Sequence, residues 1–137
     1  IYRVRRFIEC KAIGQGYPLH PGTLHMRQAV EVGMRAREAK DWIAVGTANM
    51  MFHKAIVELA DSPRLVVFYG QISAELRLAF GLLDDPEFLH MPYVDMNASI
   101  LRCIEEGRPE EATQMLEAYL VQSERTVLAA YERSMSR

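Results

Sequence analysis

Apolar residues recur along this chain at intervals of three and four, and no segment sustains an alternation of two. Leu65, Tyr69, Ile72, Leu76 and Leu83, with Phe68, Ala79 and Phe80 beside them, trace one such stripe. Ala112, Met115, Leu116, Tyr119, Val127 and Tyr131 trace much of another. The spacing predicts helices throughout, and Gly, Pro and short polar residues mark their ends. A first helix runs from Ile1 to about Ala12 and stops at Gly14, Gly16 and Tyr17-Pro18. Pro21-Gly22-Thr23 opens a second that reaches about Lys40, and Asp41 caps a third that ends near Ala60. Asp61-Ser62-Pro63 is a stop followed by a start, with Ser62 as cap and Pro63 in the first helical position; that fourth helix runs to about Leu83. Asp84-Asp85-Pro86-Glu87 repeats the start signal, and Pro92 predicts a kink or a late restart before Val94. Gly107-Arg108-Pro109-Glu110-Glu111 separates this segment from a last helix running towards Ser134. With such short connections, successive helices are expected to pack antiparallel, giving an all-α, antiparallel bundle of about six to seven helices. Gly33, Gly46, Gly70 and Gly81 fall inside helices, where each costs about 1 kcal/mol against Ala. Close helix contact is the expected reason, and a loose surface turn is the alternative.

Composition adds bounds. The 137 residues suit one domain spanning residues 1–137, and 50% hydrophobic with 25% charged residues is ordinary for a globular chain. A net charge of −2 argues against this segment gripping a phosphate backbone by itself. Cys10 and Cys103 are far apart with no CxxC spacing, and are expected to be buried thiols of a reducing, cytoplasmic compartment. Apolar runs fall well short of the ~20 residues that span a bilayer, and no signal peptide pattern is present, so no membrane partner is expected. The first residue is Ile1, inside a helical pattern, which leads to the expectation that further chain precedes it. Nucleophile motifs, glycine-rich phosphate loops and aromatic-basic stripes are all missing from the sequence.

Candidate chemistry lies in polar side chains on apolar stripes. Val45, Asn49, Phe52, His53 and Ile56 share one face of the third helix, so Asn49 and His53 project the same way one turn apart. Asn97 shares a stripe with Leu101 and Ile104, Tyr119 with Met115 and Leu116, and Arg5 stands four residues before Glu9. An uncompensated amide or imidazole in a core costs kilocalories, so each needs a partner, a water or a ligand. Either the four groups Asn49, His53, Asn97 and Tyr119 converge on a cavity, or each is satisfied by a neighbour. For Arg5 the alternative is a solvated pair with Glu9.

These residues also carry a resemblance. Tyr2-Arg3-Val4-Arg5-Arg6-Phe7-Ile8-Glu9, Lys40-Asp41-Trp42, Asn49-Met50-Met51-Phe52-His53, Leu59-Ala60-Asp61-Ser62-Pro63-Arg64-Leu65 and Ile100–Gly107 followed by Glu110-Glu111-Ala112 stand in order over nearly the whole chain. Together they resemble the C-terminal effector domain of GntR-type bacterial transcription regulators, in the branch named for a fatty-acid-responsive regulator. The resemblance implies a bundle with a central ligand pocket, on the scale of a few hundred Å³. It implies an effector-binding and dimerisation domain over residues 1–137, with the winged helix-turn-helix DNA-binding domain absent from this chain. It implies a homodimer, a small-metabolite effector (an organic acid or acyl-type compound), contact with DNA through the missing domain alone, and no enzyme activity. Many members hold a divalent metal with one Asp and three His. Here Asn49 stands for the Asp, His53 is retained, and Asn97 and Tyr119 replace the other two His. Amides and a phenol are poor ligands for such a metal, so no metal and no cofactor are expected. The four positions are then expected to contact the effector directly. Arg5 is the first candidate for pairing its carboxylate or phosphate and Arg77 the second, with Tyr69, Phe80, Tyr93 and Met96 as apolar walls. Two alternatives belong to other classes. One is a dimerisation or scaffold module without a ligand. The other is a di-iron bundle enzyme, for which Glu87-Phe88-Leu89-His90 supplies one of the two Glu-x-x-His motifs required.

Overall fold

Every regular element in the computed structural model, which describes residues 1–136, is a helix. The order is α1 (Tyr2–Ile13), α2 (Pro21–Glu38), α3 (Trp42–Glu58), α4 (Pro63–Gly81), α5 (Pro86–His90), α6 (Tyr93–Glu105) and α7 (Pro109–Met135). The starts follow the local chemistry. The Asp41 carboxylate accepts from the Ala44 N–H at 3.1 Å, the Ser62 hydroxyl from the Leu65 N–H at 3.2 Å, and the Asp85 carboxylate from the Phe88 N–H at 3.2 Å. At α2 the cap is an imidazole: His20 Nδ1 accepts from the Gly22 N–H at 2.8 Å, while Nε2 reaches Asp61 at 2.7 Å. The segment expected to bend at Pro92 is two helices. Proline supplies no N–H to continue α5, so the chain turns at Met91-Pro92 and restarts at Tyr93.

The central helix is α3, which packs against α1, α2, α4, α5 and α6. Its Phe52, Ile56 and the following Leu59 are fully buried, together with Ile13, Met26, Ile104, Leu116 and Leu120 from the surrounding helices. The stripes are less uniform than their spacing suggests. Tyr131 and Phe68 are exposed, and Cys10 is half-buried rather than buried like Cys103. Helix α4 packs chiefly on α3, burying Tyr69, Ile72 and Leu76, while Val67, Phe68, Leu78 and Leu82 stay in solvent. At ~100° per residue those four fall within an arc of roughly 100°.

The helical glycines divide into two kinds. A Cβ on Gly46 would lie 2.6 Å from the His90 ring, so α3 lacks a side chain where α5 crosses it. A Cβ on Gly70 would meet nothing within 4 Å. Gly46→Ala is therefore expected to cost about 1–3 kcal/mol by overpacking, and Gly70→Ala to gain up to about 1 kcal/mol of helix propensity. Urea denaturation of the two variants checks this. Equal effects would mean that His90 does not rest on Gly46.

Candidate functional site

Helix α1 buries the residues Tyr2, Arg5, Glu9, Ala12 and Ile13, an inward stripe that carries two charges into the bundle. Arg5 is 4% exposed and Glu9 0%, so the pair is buried and the alternative of a solvated pair does not hold. Arg5 Nε donates to Glu9 Oε2 at 2.8 Å, and the Tyr69 hydroxyl donates to the same oxygen at 2.7 Å. The second carboxylate oxygen takes a short hydrogen bond from His53 Nδ1. Burial alone would raise the Glu9 pKa, but the Arg5 guanidinium, His53 and the hydrogen bonds from His53 and Tyr69 outweigh it and hold it at about 2. Burial lowers the Arg5 pKa and the Glu9 charge more than reverses this, so Arg5 stays protonated. Burial also pushes the His53 imidazole down, against the pull of Glu9, so near neutral pH the ring is uncharged. A neutral ring that donates through Nδ1 leaves Nε2 as a bare acceptor, and His53 Nε2 is buried without a hydrogen-bond partner among the described residues.

His53 borders a small recess of about 30 Å³, room for about one water. Arg5, Asn49, Tyr69 and Tyr119 line it too. The Tyr119 ring meets His53 edge-on at 4.8 Å between centroids, and the Tyr93 ring is tilted against Tyr119 at 4.8 Å. Burial raises the Tyr119 phenol well above its ordinary pKa, so it stays protonated. Asn49 Nδ2 donates to the His90 carbonyl at 3.0 Å, and Asn97 Nδ2 donates to Asn49 Oδ1 at 2.9 Å. Asn97 thus stands behind Asn49 rather than on the cavity wall, and its own Oδ1 is buried without a partner. Arg77 stands elsewhere, in an open cleft of about 340 Å³ between α3, α4 and α5. Gly46, Met50, Phe80 and His90 border both spaces, with the Phe80 and His90 rings edge-to-face at 5.0 Å.

Four of the six residues singled out from sequence, Arg5, Asn49, His53 and Tyr119, therefore meet at one cavity, and Asn97 and Arg77 do not. The cavity is about a tenth of the expected size, and the rings of His53, Tyr69, Phe80, His90, Tyr93 and Tyr119 crowd its walls. Tyr69, Phe80 and Tyr93 line it, whereas Met96 borders a separate surface depression. Sequence reasoning missed Glu9 as the centre of the network and the ring of His90 as a wall. Glu9 was findable, since it continues the three-and-four spacing of Tyr2, Arg5 and Ala12. His90 carried no local signal beyond its place in Glu87-Phe88-Leu89-His90, and Glu87 is exposed, away from that buried ring.

Residues 1–122 match the FCD domain. The chain belongs to the FCD domain family. A search of curated proteins gives no match. Among solved structures, this FCD domain is similar to a candidate transcriptional regulator, GntR, from Rhodococcus sp. RHA1, with 32% identity and a TM-score of 0.89 over 95% of this chain. The chain spans 63% of the length of that protein. It shares its fold with the metal-free FCD domain of another candidate transcriptional regulator, with 12% identity and a TM-score of 0.75 over 96% of this chain and 91% of that one.

The donor set does not fit the metal that the family resemblance implies. Both ends of the Asn49 amide are already hydrogen-bonded, Asn97 lies behind it, the Tyr119 phenol keeps its proton, and Glu9 is taken by Arg5, His53 and Tyr69. Among the described residues, no three His, Cys, Asp or Glu side chains are grouped as metal ligands. None of the described helices is long and apolar enough to cross a membrane.

The site sets an acid limit on this FCD domain. Burial holds the His90 ring at about 4, so between about pH 6.5 and pH 4 the unfolded chain takes up a proton that the folded chain refuses. His90 alone then removes about 3 kcal/mol of stability as pH falls through that window. The depressed Glu9 carboxyl adds a further loss below about pH 4.5, complete only once pH has fallen through about 2. Urea denaturation at a series of pH values is expected to show a shallower decline between pH 7 and pH 4 for His90→Gln. Identical slopes would mean that His90 titrates as a solvated ring.

Proposed function

We propose that this FCD domain is the C-terminal regulatory half of a GntR-type transcription regulator, sensing a small organic acid in the cavity beside His53. The observation that carries this reading is the unpartnered, buried His53 Nε2 on a cavity wall shared with Arg5 and Tyr119. A buried acceptor left unpaired is a cost that a ligand donor relieves. A hydroxyl group on the effector fits Nε2. Its carboxylate would share the Arg5 guanidinium with Glu9, since the cluster of Arg5, Glu9 and neutral His53 carries no net charge of its own. Asn49 would orient the ligand and Asn97 would hold Asn49. No resident metal takes part.

A cavity of about 30 Å³ admits a metabolite only by expanding, so binding would move α1 and α7 relative to α3. That displacement is the means of regulation. Coupled to a DNA-binding domain joined ahead of α1, it would shift the balance between two arrangements of a cytoplasmic homodimer. The exposed apolar arc of α4, with Val67, Phe68, Leu78 and Leu82, is the face assigned to the second subunit. DNA is read by that other domain, in keeping with the net charge of −2 here. The small size of the cavity favours one other reading, a dimerisation module that holds a water instead of a ligand.

A thermal-shift screen of hydroxyl-bearing organic acids separates the two. At least one acid is expected to raise the melting temperature of the native domain by mass action. His53→Gln and Tyr119→Phe, verified as folded, are expected to lose that shift. If no acid stabilises the native domain, or all three proteins respond alike, the inner cavity is not a sensing site.

A further inference from the structure

A second opening is the cleft that holds Arg77. Its volume of about 340 Å³ is within the lower range of small-molecule sites, about ten times that of the inner cavity. Its walls are mainly apolar, from Ile43 and Met50 of α3, Phe80 of α4, and Leu83 and Pro86 at the turn into α5. Ile43 is 74% exposed, an apolar side chain left in water beside this opening. Arg77 is the charged residue of the lining, and among the described residues no carboxylate pairs with it. The floor is the edge-to-face pair of Phe80 and His90. An apolar slot with an aromatic floor and one unmatched cation at its edge has a definite complement.

We infer that this cleft binds a small apolar monocarboxylate bearing an aromatic ring, with the ring against Phe80 and Met50 and the carboxylate on Arg77. The ring offers edge and face contacts to Phe80 and His90 and a sulfur contact to Met50. The guanidinium holds the carboxylate bidentately while its own stem stays on the wall. The His90 imidazole, uncharged near neutral pH, supplies contact without a second cation. The site is separate from the inner cavity, and it stands or falls independently of the sensing role proposed above.

Isothermal titration of the native chain with 3-phenylpropionate and with its neutral analogue 3-phenylpropanamide tests the assignment. The acid is expected to bind saturably and the amide more weakly. Arg77 is exposed, and Arg77→Gln is expected to weaken the acid about two- to fivefold, the scale of one solvent-facing ion pair, and to leave the amide unchanged. His53→Gln is expected to leave the acid affinity unchanged. The assignment is overturned if the native chain shows no saturable binding of the acid, or if Arg77→Gln has no effect. It is also overturned if His53→Gln abolishes the binding, which would place the acid in the inner cavity and support the sensing role instead.

Discussion

The rest of this bundle is arranged around one ionised carboxylate sealed in its core. Glu9 is fully buried, and a carboxylate taken out of water without compensation would cost many kilocalories. It is tolerated because three helices supply partners: Arg5 from α1 itself, His53 from α3 and Tyr69 from α4. Each partner is in turn fixed by that charge. Arg5 stays protonated, His53 keeps its proton on Nδ1, and Tyr69 points inward. A buried ion pair is weak evidence for stability, because well-packed apolar residues of the same size commonly do as well or better. Its presence here is better understood through what it leaves at the cavity wall, an imidazole acceptor with a defined tautomer.

That constraint explains why the site departs from a metal centre. The one retained His donates one ring nitrogen to Glu9, Asn49 is hydrogen-bonded at both ends, Asn97 donates to Asn49, and Tyr119 is a protonated phenol. Positive charge comes from Arg5, a fixed cation balanced by a fixed anion. The ligand chemistry proposed for this neutral cluster therefore rests on hydrogen-bond pattern more than on charge, unlike that proposed for the Arg77 cleft. The two spaces share a partition of Gly46, Met50, Phe80 and His90, and the missing side chain at Gly46 is what lets the His90 ring form it.

Much of the fold was legible because it is written locally. Asp41, Ser62 and Asp85 are caps at the positions where short polar residues precede helical stripes, and Pro63 and Pro86 follow the last two where their fixed φ is welcome. The break at Pro92 was visible as an interruption, though spacing could not decide between a kink and two helices. The polar residues on inward faces were legible for the same reason, since helical periodicity gives direction. Partners across the bundle were not. That Asn97 serves Asn49 rather than the cavity, that Arg77 opens on a different cleft, and that Glu9 rather than a ligand occupies Arg5 all depend on where distant helices cross. An Arg and Glu four apart look alike whether they face water or the core. The deciding clue was the neighbouring Tyr2, Ala12 and Ile13 on the same stripe.

The dependence of the site on this buried charge is open to a double-mutant cycle. Arg5→Met and Glu9→Gln are each expected to lose about 3–5 kcal/mol in urea denaturation at pH 7, because each strands the other group in the core. The double variant is expected to lose far less than the sum, with a coupling energy near the upper end of the ~0.5–3 kcal/mol range seen for contacting residues, or beyond it. Additive losses would contradict the central role given to the pair and would mean that Glu9 and Arg5 sit in solvated, independent environments.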